Sequence, residues 1–127
     1  MFDVWQMTID EATEFFLSLD SKVAKLLKEA SSIMLGHLKL GQPTSSLSGG
    51  ENIRIKVLKA AKSSSEILGI DEPYRGLGAS EIYRVSLFLN ELVSKGKTVV
   101  VVDHSETAEQ YFCRRINLVN KDGILYG

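Results

Sequence analysis

Four valines stand in a row at residues 99–102, preceded by Thr98 and followed by Asp103 and His104. β-Branched side chains crowd a helix and suit a pleated strand. A strand apolar at every position predicts burial on both faces, as in a parallel sheet. A second apolar run, residues 66–70, ends in Asp71-Glu72-Pro73. Between the two runs, Ile82, Val85, Phe88, Leu89, Leu92 and Val93 recur at helical spacing, with Ser80 as the expected N-cap and Gly96 beyond the end. Strand, helix, strand argues for an α/β layered core. The charged residues at the strand ends stand where such folds bind ligands.

The segment before this core reads as helical. Thr8 and Glu11 form a capping-box pattern, followed by an apolar stripe of Ala12, Phe15, Phe16 and Leu19. A second helix is expected from Ser21, carrying Val23, Leu26, Leu27, Ala30, Ile33 and Met34, with Gly36 as its stop. These two helices read as packing elements without chemistry. Residues 41–50 are loop-like, and a basic helix follows, broken at Ser63-Ser64-Ser65. A short helix after Ser105 is expected. Residues 115–119 and 124–126 read as a hairpin about a turn at residues 120–123.

Composition bounds the function. At 127 residues the chain is one domain at most. A formal charge of −1 offers no global argument for nucleic acid or membrane binding. The single Cys113 rules out an internal disulfide and suits a reducing cytosol. With only His37 and His104 beside it, a zinc cluster is out of reach. No run approaches the length of a membrane span, and no basic n-region precedes an apolar run as in a secretory signal. The default expectation is a cytoplasmic protein with no membrane partner.

Four features could carry chemistry. Leu47-Ser48-Gly49-Gly50-Glu51 opens a helix. Backbone N–H groups at a helix N-terminus attract phosphate, glycines permit close approach, and Ser48 adds a hydroxyl donor. At the end of residues 67–70, Asp71 can hold Mg²⁺ and Glu72 can orient a water. Tyr74-Arg75-Gly76-Leu77-Gly78 forms the following loop, and His104 follows the valine strand. Each is weak alone, because a Gly-Gly turn, an Asp-Glu strand end or a lone histidine is more often structural.

Together, in this order, they resemble the second half of an ABC-type ATPase domain. Residues 47–51 look like the signature motif and residues 67–72 like Walker B with its catalytic glutamate. Residues 74–78 take the D-loop position and His104 that of the switch histidine. The stretches 7–16 and 38–51 narrow the resemblance to the C-terminal ATPase half of the UvrA family, the damage-sensing ATPases of the excinuclease ABC system in bacterial nucleotide excision repair. Transporter ATPases share the signature and Walker B patterns but not the lead-in. They remain an alternative, which a neighbouring gene for a membrane-spanning component would favour.

The resemblance implies an α/β fold: a partial P-loop NTPase core with a helical N-terminal segment. Residues 1–41 would be the helical segment, and residues 42–127 the signature, Walker B and switch-histidine subdomain. It implies ATP and Mg²⁺ as cofactors. It implies as partners DNA, a paired ATPase domain and UvrB, the excinuclease component to which damaged DNA is handed over. Leu47, Ser48, Gly49, Gly50 and Glu51 would meet the γ-phosphate of ATP held by the facing domain. Asp71 would hold Mg²⁺, Glu72 would polarise the attacking water, and His104 would stabilise the γ-phosphate. The cysteine count leaves no counterpart for the zinc modules of the family.

The chain departs from the family in its lack of Gly-x-x-x-x-Gly-Lys-Ser/Thr. Gly96-Lys97-Thr98 comes nearest, but Glu91 stands where the first glycine belongs, and Thr98 opens a strand rather than a helix. Without a P-loop, Asp71, Glu72 and His104 have no nucleotide of their own, and the chain alone is expected to be inactive. It reads as a piece of a larger ATPase, since family-like sequence follows Met1 at once with Asp3-Val4 ahead of Met7-Thr8, or as a non-catalytic module that completes a partner's site. The missing half is expected to leave an apolar edge and to promote self-association.

Smaller departures are Ile53 in place of glutamine, Gly78 in place of histidine or aspartate, and Tyr74 and Arg75 in place of small hydroxyl residues. Arg54, Lys56, Lys59 and Lys62 place four cations in nine residues. They read either as DNA phosphate contacts or as a solvated helix face. No aromatic residue interleaves with them, so no single-strand stacking platform is visible.

Overall fold

The computed structural model of the chain describes residues 3–121 and 124–126. Two helices lead, α1 (Ile9–Phe16) and α2 (Ser21–Ser32). The expected capping box closes: the Thr8 hydroxyl accepts the Glu11 N–H at 3.1 Å and the Glu11 carboxylate accepts the Thr8 N–H at 3.0 Å. Asp20 caps α2 by accepting from the N–H groups of Lys22 and Val23. The helices pack on each other. Residues 38–41 then run antiparallel to residues 5–9, with Ile9 N–H donating to the Leu38 carbonyl at 2.8 Å and Leu40 N–H to Met7 at 2.9 Å.

Two local expectations fail. Helix α2 stops at Ile33, and Met34 turns the chain in the left-handed region at φ 67°. Gly36 instead lies close against the Asp10 carboxylate, which a Cβ there would displace. The apolar stripe of α1 is also only partly used. Ala12 is buried and Phe16 half-buried, whereas Phe15 and Leu19 are exposed.

The α/β core follows. Helix α3 (Gly49–Ala61) leads to β1 (Ile67–Asp71), α4 (Ala79–Ser94) and β2 (Thr98–Val102). Strands β1 and β2 pair in parallel, from Ile67 opposite Thr98 to Asp71 opposite Val102. Helix α4 starts two residues before the expected Ser80 cap: Gly78 is the N-cap, and its N–H reaches the Glu81 carboxylate at 2.9 Å. Gly96 ends the helix at φ 96°, as expected of a stop. Lys97 donates to the carbonyls of Ser63 and Ser65 at 2.9 and 2.6 Å, tying down the turn between α3 and β1.

Leu68 and Ile70 of β1 face a core that includes Leu35, Val57, Val85, Phe88, Leu89 and Leu92, with Val99 and Val101 of β2 packed against it. The opposite face is open. Ile67, Val100 and Val102 are 66%, 53% and 56% exposed. The expectation of a strand buried on both faces therefore fails. Alternate side chains point to opposite sides, and the core covers only one of them. Helix α5 (Glu106–Glu109), capped by Ser105, follows β2. The hairpin joins β3 (Val119–Lys121) to β4 (Ile124–Tyr126). Its first arm starts later than expected, because Arg115 bonds Asn117 and Glu109 across an irregular stretch. Asp122 and Gly123 of the expected turn lie outside the described residues. Among the described residues no helix is long and apolar enough to cross a membrane.

Candidate functional site

The glycine-rich loop is built by a second capping box. The Ser48 hydroxyl accepts the Glu51 N–H at 3.1 Å, and the Glu51 carboxylate accepts the Ser48 N–H at 3.0 Å. The same carboxylate meets His37 Nε2 at 2.7 Å. The Ser48 N–H, with help from His37 and against partial burial, holds the Glu51 carboxyl below its ordinary value. The first-turn N–H groups of α3 give this end partial positive charge. Leu47, half-buried, packs against the core beneath it.

The two glycines serve different ends. A Cβ on Gly50 would lie 2.6 Å from the Arg75 carbonyl oxygen and 2.9 Å from Arg54 Nη1. Gly50 is thus required by the chain's own packing. Gly49 is exposed, and the nearest group to a Cβ there would be the Arg75 guanidinium, at an ordinary 3.5 Å.

The second half of the site hangs from the ends of β1 and β2. Glu72 N–H donates to the Val102 carbonyl at 2.8 Å, which continues the strand pairing into the loop. Glu72 itself has φ 52°, a left-handed conformation that costs a non-glycine residue energy. It stands against His104: Glu72 Oε1 lies 3.7 Å from Nε2 of the exposed imidazole. Asp103 clamps the two loops together, accepting the Tyr74 N–H at 3.3 Å and the Ser105 N–H at 2.8 Å. Below, the buried Tyr74 hydroxyl bonds Ser86 Oγ at 2.8 Å. Burial pushes the Tyr74 phenol up. Glu72, Tyr74, Arg75, Asp103 and His104 line an open hollow of about 380 Å³.

Glu72 and His104 are therefore brought together. Asp71 is exposed on the open side of β1, with Ile67 and Gly69, and does not line the hollow. Among the described residues no three His, Cys, Asp or Glu side chains form a metal-holding group. A single exposed carboxylate at a strand end does fit Mg²⁺, which keeps several waters and takes its other oxygens from phosphate.

The basic helix is corrected in one respect. Arg54 is 4% exposed, so it cannot share a solvated face with the exposed Lys56, Lys59 and Lys62. Burial lowers its pKa, opposed by the charges of Glu51 and Glu81. Its Nε and Nη1 have no hydrogen-bond partner. Lys62 is paired with Glu29. Sequence reasoning missed the clamp role of Asp103. Its position beside His104 was the available signal. Tyr74 and Arg75, for which the sequence offers no role, are a core anchor and a cover over Gly49.

No protein-family model matches the chain. A curated relative, UvrABC system protein A of Staphylococcus aureus, is 38% identical over 106 residues, which is 81% of this chain and 11% of that protein. The chain thus spans about a tenth of the length of the curated relatives it matches. The crystal structure of UvrA2 from Deinococcus radiodurans aligns with a TM-score of 0.69 at 36% identity, covering 80% of this chain and 13% of that one. A dimeric bacterial ABC transporter cassette shares the fold alone, with a TM-score of 0.53 at 21% identity over 85% of this chain and 50% of its own. The resemblance read from the motifs therefore holds: most of this chain is similar, in sequence and in fold, to a segment of the UvrA proteins of the excinuclease ABC system.

Proposed function

We propose that this chain is the signature, Walker B and switch-histidine part of an excinuclease-type ABC ATPase, acting on ATP held by a P-loop outside residues 1–127. Residues 1–41 form its helical segment and residues 42–127 its subdomain of ATPase motifs. The observation that carries this reading is the meeting of Glu72 and His104 at the flush ends of two parallel strands. The capped helix at Ser48 supports it.

Catalysis in such a site is positioning and electrostatics, as for phosphoryl transfer generally. Glu72 accepts a hydrogen bond from the attacking water and orients it. His104 faces the γ-phosphate. Asp71 would hold Mg²⁺, which would neutralise phosphate charge when bound. Leu47, Ser48, Gly49, Gly50 and Glu51 form the loop that closes on ATP of the facing domain. DNA and UvrB are partners of the assembled enzyme. Lys56 and Lys59 remain candidates for DNA phosphate contact.

A second reading makes the chain a non-catalytic module that completes the site of a P-loop partner. The lack of any Gly-x-x-x-x-Gly-Lys-Ser/Thr run in the sequence favours it. A titration of the chain with a fluorescent ATP analogue and Mg²⁺ tests what the two readings share. No saturable binding that depends on Asp71 is expected at millimolar nucleotide. Saturable binding that weakens in Asp71→Asn would mean that another element replaces the P-loop, and both readings would fall. Addition of the native P-loop partner separates them. Stimulation of that partner's ATPase, lost on Ser48→Arg but kept in Glu72→Gln, selects the module.

A further inference from the structure

We infer that Arg75 is a phosphate-recognising residue of the signature loop, its guanidinium placed beside Gly49 to meet the terminal phosphate of a nucleoside triphosphate presented by a facing domain. This rests on the reading of residues 47–51 given above and adds a residue and a charge to it.

The placement is specific. Nη1, Cζ and Nε of Arg75 lie 3.5, 3.7 and 3.9 Å from the Cβ position of Gly49. Three guanidinium atoms at nearly equal distance set the group broadside over that glycine. The base of the side chain is fixed, because the Arg75 carbonyl presses on Gly50. The head is exposed, and among the described residues it takes part in no ion pair. Arg75 also lines the hollow of Glu72 and His104, so its charge stands between the two halves of the site.

The electrostatics call for such a charge. Glu51 stays ionised in the first turn of α3, where an incoming phosphate would meet a carboxylate. A guanidinium at Gly49 offsets it and offers charged donors in a planar array suited to phosphate oxygens. A second guanidinium backs the loop from inside: Arg54 Nη1, buried and without a partner, lies against Gly50. Both glycines of the motif are thus flanked by guanidinium groups whose donors are not spent on carboxylates.

The test is an NMR titration of the ¹⁵N-labelled chain with sodium tripolyphosphate at constant ionic strength. The amides of Gly49 and Gly50 and the Arg75 Nε–H should shift along one saturable curve. Arg75→Gln should weaken apparent affinity about two- to fivefold, the size of an exposed charge pair, and Arg75→Lys should recover part of it. Unchanged core resonances in both variants would show the fold intact. If Gly49 and Gly50 titrate identically in Arg75→Gln, Arg75 has no part and the signature reading stands. If the wild-type chain shows no saturable shift there, or Lys56 and Lys59 shift with the same midpoint, the inference falls together with phosphate binding by this loop.

Discussion

Along the valine run, the two faces of the small parallel sheet carry the same side chains and meet opposite fates. Leu68, Ile70, Val99 and Val101 look into the core, while Ile67, Val100 and Val102 look out with half or more of their surface exposed. Composition cannot distinguish the faces, because valine alternates with valine. What distinguishes them is the covering. Helices α3 and α4 pack against the strands, and the outer face is left open. The inner face holds the fold together. The outer face is a surface suited to further polypeptide, and the exposed Asp71 projects from that same side.

The comparison breaks most readily at Leu68. Truncating this buried side chain to alanine should cost about 2–5 kcal/mol of unfolding free energy in a urea titration, through lost burial and a residual cavity. A loss below about 1 kcal/mol would mean that the inner face is not the core. Next comes the anchor that continues that face beneath the loop. Tyr74→Phe removes the phenol that satisfies the buried Ser86 hydroxyl. It should cost about 1–3 kcal/mol by leaving that group unpaired. Replacing Ser86 by alanine in the same variant should return part of the loss.

The outer face should give the smallest change. The double substitution Val100→Thr and Val102→Thr keeps β-branched shape, so stability should move by no more than about 0.5 kcal/mol per site. The same variant should reduce self-association in sedimentation velocity, because it removes an exposed apolar patch. A stability loss as large as that of Leu68→Ala would show the two faces to be equivalent.

Local chemistry was legible in the sequence where it is local in fact. Thr8 with Glu11, and Ser48 with Glu51, lie three residues apart, and both boxes close. Periodicity found α4, and uniform β-branching found β2. Tertiary matters were hidden. Valines buried on both faces and valines buried on one have the same spelling. Arg54 has the spacing of a surface cation but faces inward with Val57, three residues on. The Asp103 clamp joins residues 29 apart, and nothing in either loop announces the other. The helix start at Gly78 is hidden because the cap has no side chain to announce it, and the bond that marks it is donated by its N–H to the Glu81 carboxylate.

The register of β1 and β2 does more than pair two backbones. Asp71 lies opposite Val102, so the chain leaves both strands at the same height. A slip of one residue would carry His104 about 3.3 Å along the strand and turn Val99 and Val101 outward. The misaligned chain would lose its core and its Glu72–His104 pair in the same step. Alignment of Glu72 with His104 is thus proofread by hydrophobic packing, and any substitution that loosens that packing should separate this pair before it unfolds the protein.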